Sequence, residues 1–257
     1  MSNAPRFFHP TALKTGDTIQ LPESIAHYAV RVLRLKSNSK IILFNGNGGQ
    51  YIASLIIENK NAYANILEHD NIELELLGTV NLIQGLPSGS KMDLIAEKAV
   101  ELGAASLWPV ASKHSVTQLH GQRLEKRIAH WQRIAQSASE QCGRNRVMQV
   151  NTLCKLDAVL SELPCSSNAL TLLCHHEGGS PFNKVVLEQA HLWHGKKTEQ
   201  LTVNLLVGPE GGWSDEEVAL AQQHGAKVVL FGNRIMRTET AGIALIAACT
   251  ALLDWSG

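Results

Sequence analysis

Two short stretches near the C-terminal end carry the residue types that could do chemistry. In "LLVGPEGGWSDEEV" (205–218), Gly208, Pro209, Glu210, Gly211 and Gly212 separate an apolar run from an apparent helix start. Glycine permits positive φ and lets backbone amides approach a ligand that a side chain would exclude. Pro209 stiffens the turn, Glu210 offers acceptors to hydroxyls or amines, and Ser214 with Glu217 has capping-box spacing. "VVLFGNRIMRTETAGIAL" (228–245) repeats the plan: an apolar strand, Gly232, a connection, and a helix opened by Thr238. Arg237 precedes that helix and Glu239 stands in its first turn. Neither stretch has the G-x-x-x-x-G-K-[ST] form of a phosphate cradle, and no G-x-G-x-x-G opens a helix in the chain. An acidic, glycine-lined turn suits an uncharged ribose or a cationic ligand better than a triphosphate. The alternative is a tight strand–helix connection that binds nothing. If both loops follow neighbouring strands of one α/β sheet, they meet beyond the strands' carboxyl ends, where such sheets bind ligands.

The elements that must position these loops follow from hydrophobic period. From about residue 74, "LELLGTVNLIQGLP", "SLWPVAS", "NALTLLCHHE", "LTVNLLVG" and "AKVVLFG" read as strands. They alternate with helical patterns at "KMDLIAEKAVELGA", Arg123 to Gln141, "SDEEVALAQQHG" and "TAGIALIAACTALLDW". Such alternation predicts a mostly parallel sheet covered on both faces. The segment before it differs. "DTIQL", "KIILFN", "QYIASLIIE" and "AYANILEH" read as short strands, with "NGNGG" at 45–49 as a hairpin loop, which suggests a small β-barrel. Within it, "SIAHYAVRVLRL" places Ile25, Tyr28, Ala29, Val32 and Leu33 on one helical face and Arg31 and Arg34 on the other. Two domains are therefore expected, 1–73 and 74–257.

The chain has 257 residues, 44% of them hydrophobic, and no net charge. Charge is nonetheless uneven: residues 1–40 carry six Lys/Arg against two acids, and residues 113–146 seven against two. Local basic surface can steer a polyanion, although solvated faces would look the same. Five cysteines without a C-x-x-C pair favour neither a disulfide framework nor a zinc site, and point to a reducing cytoplasm. No apolar run approaches the roughly 18 residues of a membrane span, and no signal-peptide pattern opens the chain. His175, His176 and Glu177 invite a metal reading, but adjacent histidines on a strand would face opposite ways, so no metal is expected.

The two C-terminal loops, "VGPEGGWSDEE" and "LFGNRIMRTETA", resemble the cofactor signature of SPOUT methyltransferases, and specifically of the RsmE family of 16S rRNA uracil-N3 methyltransferases. "RFF" at 6–8, "HYAVRVLRL" at 27–35, "KMDLIAEKAVELGAASLWPVASKHS" at 91–115 and "SASEQCGR" at 137–144 are similar to further blocks of that family, in order along nearly the whole chain. Trp213 stands where the family usually has Phe, and Met236 where Leu is common.

The resemblance implies a small PUA-like β-barrel followed by a trefoil-knotted SPOUT α/β domain, a homodimer, and S-adenosyl-L-methionine as cofactor. It implies methylation of N3 of the uridine at position 1498 of 16S rRNA, on the assembled 30S subunit. Carried over by residue, the cofactor would be held by Val207, Gly208, Glu210, Gly211 and Gly212 and by Leu230, Gly232, Ile235, Met236, Arg237, Thr240 and Ala241, with Leu173 and Cys174 walling the adenine. Arg237 would stabilise the uracil anion or anchor RNA. Glu239 has two readings, catalytic base or helix cap. Arg6, Arg31, Arg34, Gln141 and Arg144 would contact RNA, while Arg123, Lys126, Arg127 and Arg133 are either further contacts or a solvated helix face. A ribose 2′-O-methyltransferase and a non-catalytic assembly factor remain as alternatives.

Overall fold

The computed structural model describes residues 4–59, 61–164 and 166–255, so Cys165 lies outside the described residues. Contacts divide the chain into two units. One comprises Met1–Glu75 and Ser139–Val147, the other Leu76–Ala138 and Met148–Gly257.

The first unit holds β1 (Arg6–Phe8), β2 (Thr18–Gln20), α1 (Glu23–His27), β3 (Lys40–Phe44), β4 (Gln50–Glu58) and β5 (Asn61–Asp70). Its five-stranded sheet has the order β1-β3-β4-β5-β2, antiparallel except for the β1–β3 pair. Period-two alternation buries Ala53 and Leu55 of β4 and Ala62, Ala64 and Ile66 of β5 against Phe7, Ile41 and Leu43. The helix departs from expectation. After His27 the backbone winds as one π-helical segment, Tyr28–Val32, with Leu33 N–H donating to Tyr28 C=O at 2.9 Å. Wider winding rotates the following side chains out of phase. Ile25 and Ala29 are buried as expected, but Tyr28, Val32 and Leu33 are exposed.

Residues 139–147 join this unit through polar contacts. Arg6 Nη2 donates to Gly143 C=O at 3.0 Å and Asn145 Oδ1 at 2.7 Å, Glu140 Oε1 accepts from Phe8 N–H at 3.0 Å, and Asn145 Nδ2 donates to Ile72 C=O at 2.6 Å.

In the second unit follow β6 (Thr79–Gly85), α2 (Lys91–Glu101), β7 (Ser106–Val110), α3 (Gly121–Cys142, of which the part to Ala138 belongs to this unit), β8 (Gln149–Val150), α4 (Leu156–Glu162), β9 (Ala169–Cys174), β10 (Ser180–Pro181), α5 (Phe182–Leu192), β11 (Thr202–Val207), α6 (Asp215–Gln223), β12 (Lys227–Leu230) and α7 (Thr238–Leu252). The seven strands are all parallel, in the order β10-β12-β9-β11-β6-β7-β8. Their continuous apolar runs are those of a sheet buried on both faces. Ile83, Leu173 and Leu206 are aligned across three strands and pack with Leu156, Val159, Leu160 and Ala221 of α4 and α6. Leu82, Leu172 and Leu205 form the equivalent row on the other face, where a Cβ on Gly242 of α7 would touch Leu82 at 3.4 Å. Each fully buried leucine contributes about 1.5–3 kcal/mol. A polar ladder pins the register: Ser106 Oγ donates to Asn81 Oδ1, Asn81 Nδ2 to Asn204 Oδ1, and Asn204 Nδ2 to Thr171 Oγ1, at 2.7–3.1 Å. The carboxyl ends of β6, β9 and β11 are thereby level, with Val207 opposite both Gln84 and Cys174. Among the described residues no helix is long and apolar enough to cross a membrane.

Candidate active site at the carboxyl ends of the parallel strands

The two glycine-bearing loops meet. Thr238 Oγ1, at the start of α7, donates to Gly208 C=O at 2.6 Å. Gln84, the last polar residue of β6 and fully buried, donates from Nε2 to Thr238 Oγ1 at 2.9 Å and lies within 3.4 Å of the Val207 and Gly208 carbonyls. One amide and one hydroxyl thus join three elements. Neither was assigned a site role from sequence, although a lone glutamine in the apolar run "NLIQGLP" is a signal that could have been read.

The first loop, residues 208–214, is closed by its neighbours. A Cβ on Gly208 would lie 2.9 Å from Gly212 C, and one on Gly211 2.8 Å from His114 Cβ. Those two glycines are required by the protein's own packing. Only Gly212 of the three has positive φ, +70°, and space beside it is open. Glu210 is also committed internally. Its Oε1 accepts from Ser88 N–H at 3.0 Å, Ser88 Oγ at 2.6 Å and Lys91 Nζ at 2.5 Å. Burial works to raise its pKa, but the hydrogen bonds from Lys91 and Ser88 prevail and bring it to about 2. His114 Nδ1–H donates to Gly211 C=O at 2.9 Å, a tautomer fixed because a carbonyl only accepts. Ser214 and Glu217 form the reciprocal capping box that opens α6, and Glu217 also accepts from Lys113 N–H.

The second loop, residues 231–237, is held at its ends: Phe231 meets Phe182 edge to face with ring centroids 5.2 Å apart, and Arg237 C=O accepts from Thr240 and Ala241 N–H at 2.9 Å. None of the peptide groups of residues 232–236 has a hydrogen-bond partner among the described residues. Gly232 has φ +77° with open space where a side chain would project, and Ile235 is 86% exposed. Arg237 caps α7 by position only, and its side chain is 83% exposed. Glu239 lies 4.0 Å from Arg237 Nη1, with a side chain 15% exposed and Oε2 buried without a partner. It caps no backbone amide of α7, so the helix-cap reading of Glu239 is not what the structure contains.

Other expected site residues fall unevenly. Val207, Leu230, Thr240 and Ala241 flank the two loops, and Met236 lies within the second. Leu173 does not wall an open site: it is fully buried in the core beside Ile83 and Leu206. Cys174 is half-buried at the end of β9, and burial pushes its thiol to about 11, so it is no nucleophile at neutral pH. Arg31 and Arg34 are exposed on the first unit, Arg34 with φ +53°. Gln141 is exposed. Arg144 is 4% exposed, and its guanidinium spans both oxygens of Glu75 at 2.5–3.1 Å. Direct RNA contact is closed to Arg144 while that pair stands. Arg6 is half-buried and engaged with Gln50, Gly143 and Asn145, which likewise makes it a brace within its unit. His175 and His176 follow β9 rather than lying on it, with ring centroids 4.3 Å apart, so the opposite-faces argument does not apply. Among the described residues no group of three His, Cys, Asp or Glu could hold a metal ion.

Residues 74–250 match the family model described as an RNA methyltransferase domain, and residues 21–67 the RNA methyltransferase PUA domain. The chain is 31% identical to ribosomal RNA small subunit methyltransferase E from Synechocystis over 92% of its own length and 74% of that protein's. The chain belongs to the RsmE family. Its Bacillus subtilis member is 29% identical, over 93% of this chain and 89% of that one. The Neisseria gonorrhoeae RsmE structure, which is bound to S-adenosylmethionine, superposes with a TM-score of 0.84 at 35% identity, covering 97% and 98% of the two chains. A Legionella pneumophila methyltransferase structure in complex with the same cofactor gives 0.85 at 26% identity, with the same coverage. An RsmE member with this parallel sheet and PUA-like first unit is the fold class that the sequence motifs predicted.

Proposed function

We propose that this chain transfers a methyl group from S-adenosylmethionine to N3 of one uridine, position 1498, of 16S rRNA in the assembled 30S subunit. We further infer that it works in the cytoplasm as a homodimer, with its C-terminal segment threaded as a trefoil knot. The observation that carries the reading is the clasp: Thr238 and Gln84 hold the second loop's helix against Gly208 in a chain of this family. Return of α7 across β6 and β11, after β12 has joined the far side of β9, is compatible with threading.

The residues suit the cofactor. An adenine needs donors, acceptors and apolar cover together, and residues 232–236 offer unpaired peptide groups beside exposed Ile235. Gly208, Gly212, Leu230, Met236, Thr240 and Ala241 would complete the cleft, with Val207 and Cys174 at its floor. Glu210 and Gly211 would support it indirectly, through Lys91, Ser88 and His114. Bound there, S-adenosylmethionine supplies an electrophilic methyl group on a sulfonium that departs as a neutral thioether.

The protein must bring N3 into line and remove its proton, since neutral uracil is a poor nucleophile there. Glu239 is the group suited to take the proton, because its Oε2 is buried and unspent. Arg237, exposed beside it, would face the uracil oxygens and stabilise the anion that forms. Arg31 and Arg34 would hold RNA from the first unit. Calorimetry with S-adenosylmethionine, and nucleoside mass spectrometry of small subunits from cells lacking the enzyme, test this reading. A 3-methyluridine product is expected; a 2′-O-methylated product, or absence of cofactor binding, would overturn it.

A further inference from the structure

Outside the two loops, the most distinctive charged feature is a groove along α3. Arg123, Lys126, Arg127 and His130 recur at i, i+3, i+4 and i+7 and so share one helix face. With Gln122 they line a concavity of about 440 Å³, made entirely within the second unit. Arg123, Lys126 and Arg127 have no acidic partner among the described residues, although Arg127 is half-buried. The acids nearby are occupied or turned away. Asp93 accepts from Trp131 Nε1 at 3.0 Å and faces His130 Nε2 at 3.1 Å. Glu125 lines a separate cleft with Leu124 and Ile128. Arg133, one turn on, points its Nε back to Ala129 C=O at 3.2 Å, leaving the row to the other four.

Three uncompensated cations, Arg123, Lys126 and Arg127, in a concave surface call for a multivalent anion. From Arg123 to His130 the helix rises about 10 Å, which spans roughly three charges of a nucleic-acid strand at about 3.4 Å each. We propose that this groove is a phosphate track for the RNA backbone, separate from the nucleotide being modified. It rests on the methyltransferase reading and adds a second contact region, on the catalytic unit itself. The contacts are to phosphates and carry no base preference, so they set affinity and register. They would act on RNA flanking the target.

The test compares wild type with the triple variant Arg123→Gln/Lys126→Gln/Arg127→Gln, using small subunits from cells lacking the enzyme as the probe across a salt series. Lys184→Gln on α5, whose lysine pairs loosely with Glu188, serves as the charge control. The triple variant is expected to flatten the slope of log K against log salt by about 2–3, one unit or slightly less per lost phosphate contact. It should raise KM for RNA while leaving cofactor affinity, kcat and melting temperature as in wild type, and Lys184→Gln should change none of these. An unchanged slope in a variant that still melts like wild type overturns the track alone. A wild-type chain that binds no small subunits overturns both the track and the methyltransferase reading. A fall in kcat at saturating RNA would move these residues to the reacting nucleotide and also refute the proposal.

Discussion

The loop after β11 and the loop after β12 have the same plan in sequence and opposite treatment in the fold. In the first, Gly208 packs on Gly212, Gly211 on His114, and Glu210 is bound by Ser88 and Lys91. Residues 232–236 of the second bond to nothing else described, and Ile235 stands in solvent. One half of the proposed cleft is braced by its protein neighbours, and the other has no such braces. Rigid donors reduce the entropy lost on binding, while an open loop lets ligand enter. Glu239, the proposed base, follows the open half, with an unspent buried oxygen.

Substitutions can break this contrast. Glu239→Gln has the largest expected effect, a fall in kcat of about 100-fold or more, as for loss of a general base, with cofactor affinity retained in calorimetry. A comparable loss of affinity would make Glu239 a cofactor ligand instead. Gly208→Ala comes next, because its Cβ would press on backbone at 2.9 Å that cannot yield cheaply. Cofactor binding should weaken about 100-fold, roughly 3 kcal/mol. Gly232→Ala meets no neighbour and strains only its φ of +77°. It should cost about 1–2 kcal/mol, seen as roughly tenfold weaker binding. If the two glycine variants behave alike, the distinction between closed and open loops fails. Smallest is Glu210→Gln. The carboxylate and Lys91 are each about one-third exposed, so solvent-screened attraction limits the loss to about 1 kcal/mol or less and to a few-fold in cofactor affinity. A loss as large as that of Gly208→Ala would show that Glu210 contacts the cofactor directly.

Much of this was legible beforehand, for identifiable reasons. Apolar runs bounded by glycine define β9, β11 and β12, and Ser214 with Glu217 announces α6 by local hydrogen bonding alone. Short or weakly patterned pieces escaped: β1, β8 and β10, of three residues or fewer, exist because a neighbouring strand pairs with them. The helices α4 and α5 also carried no strong local signal. The π-helical segment at Tyr28–Val32 defeated a reading that assumed 3.6 residues per turn throughout. What the sequence could not show is where a charged residue meets a partner far along the chain. Arg144 finds Glu75, 69 positions away, and Glu210 finds Lys91, 119 positions away. No spacing rule foresees such pairs, and each changes what its side chain can still do.

The bond between Gln84 and Thr238 closes a separation of 154 residues. During synthesis, β6 emerges long before the hydroxyl that completes its carboxyl end, and long-range closures of this kind come late in folding. Nascent chains stalled before α7 should hold most of the sheet yet have no affinity for the methyl donor. Competence to bind the donor then waits for α7.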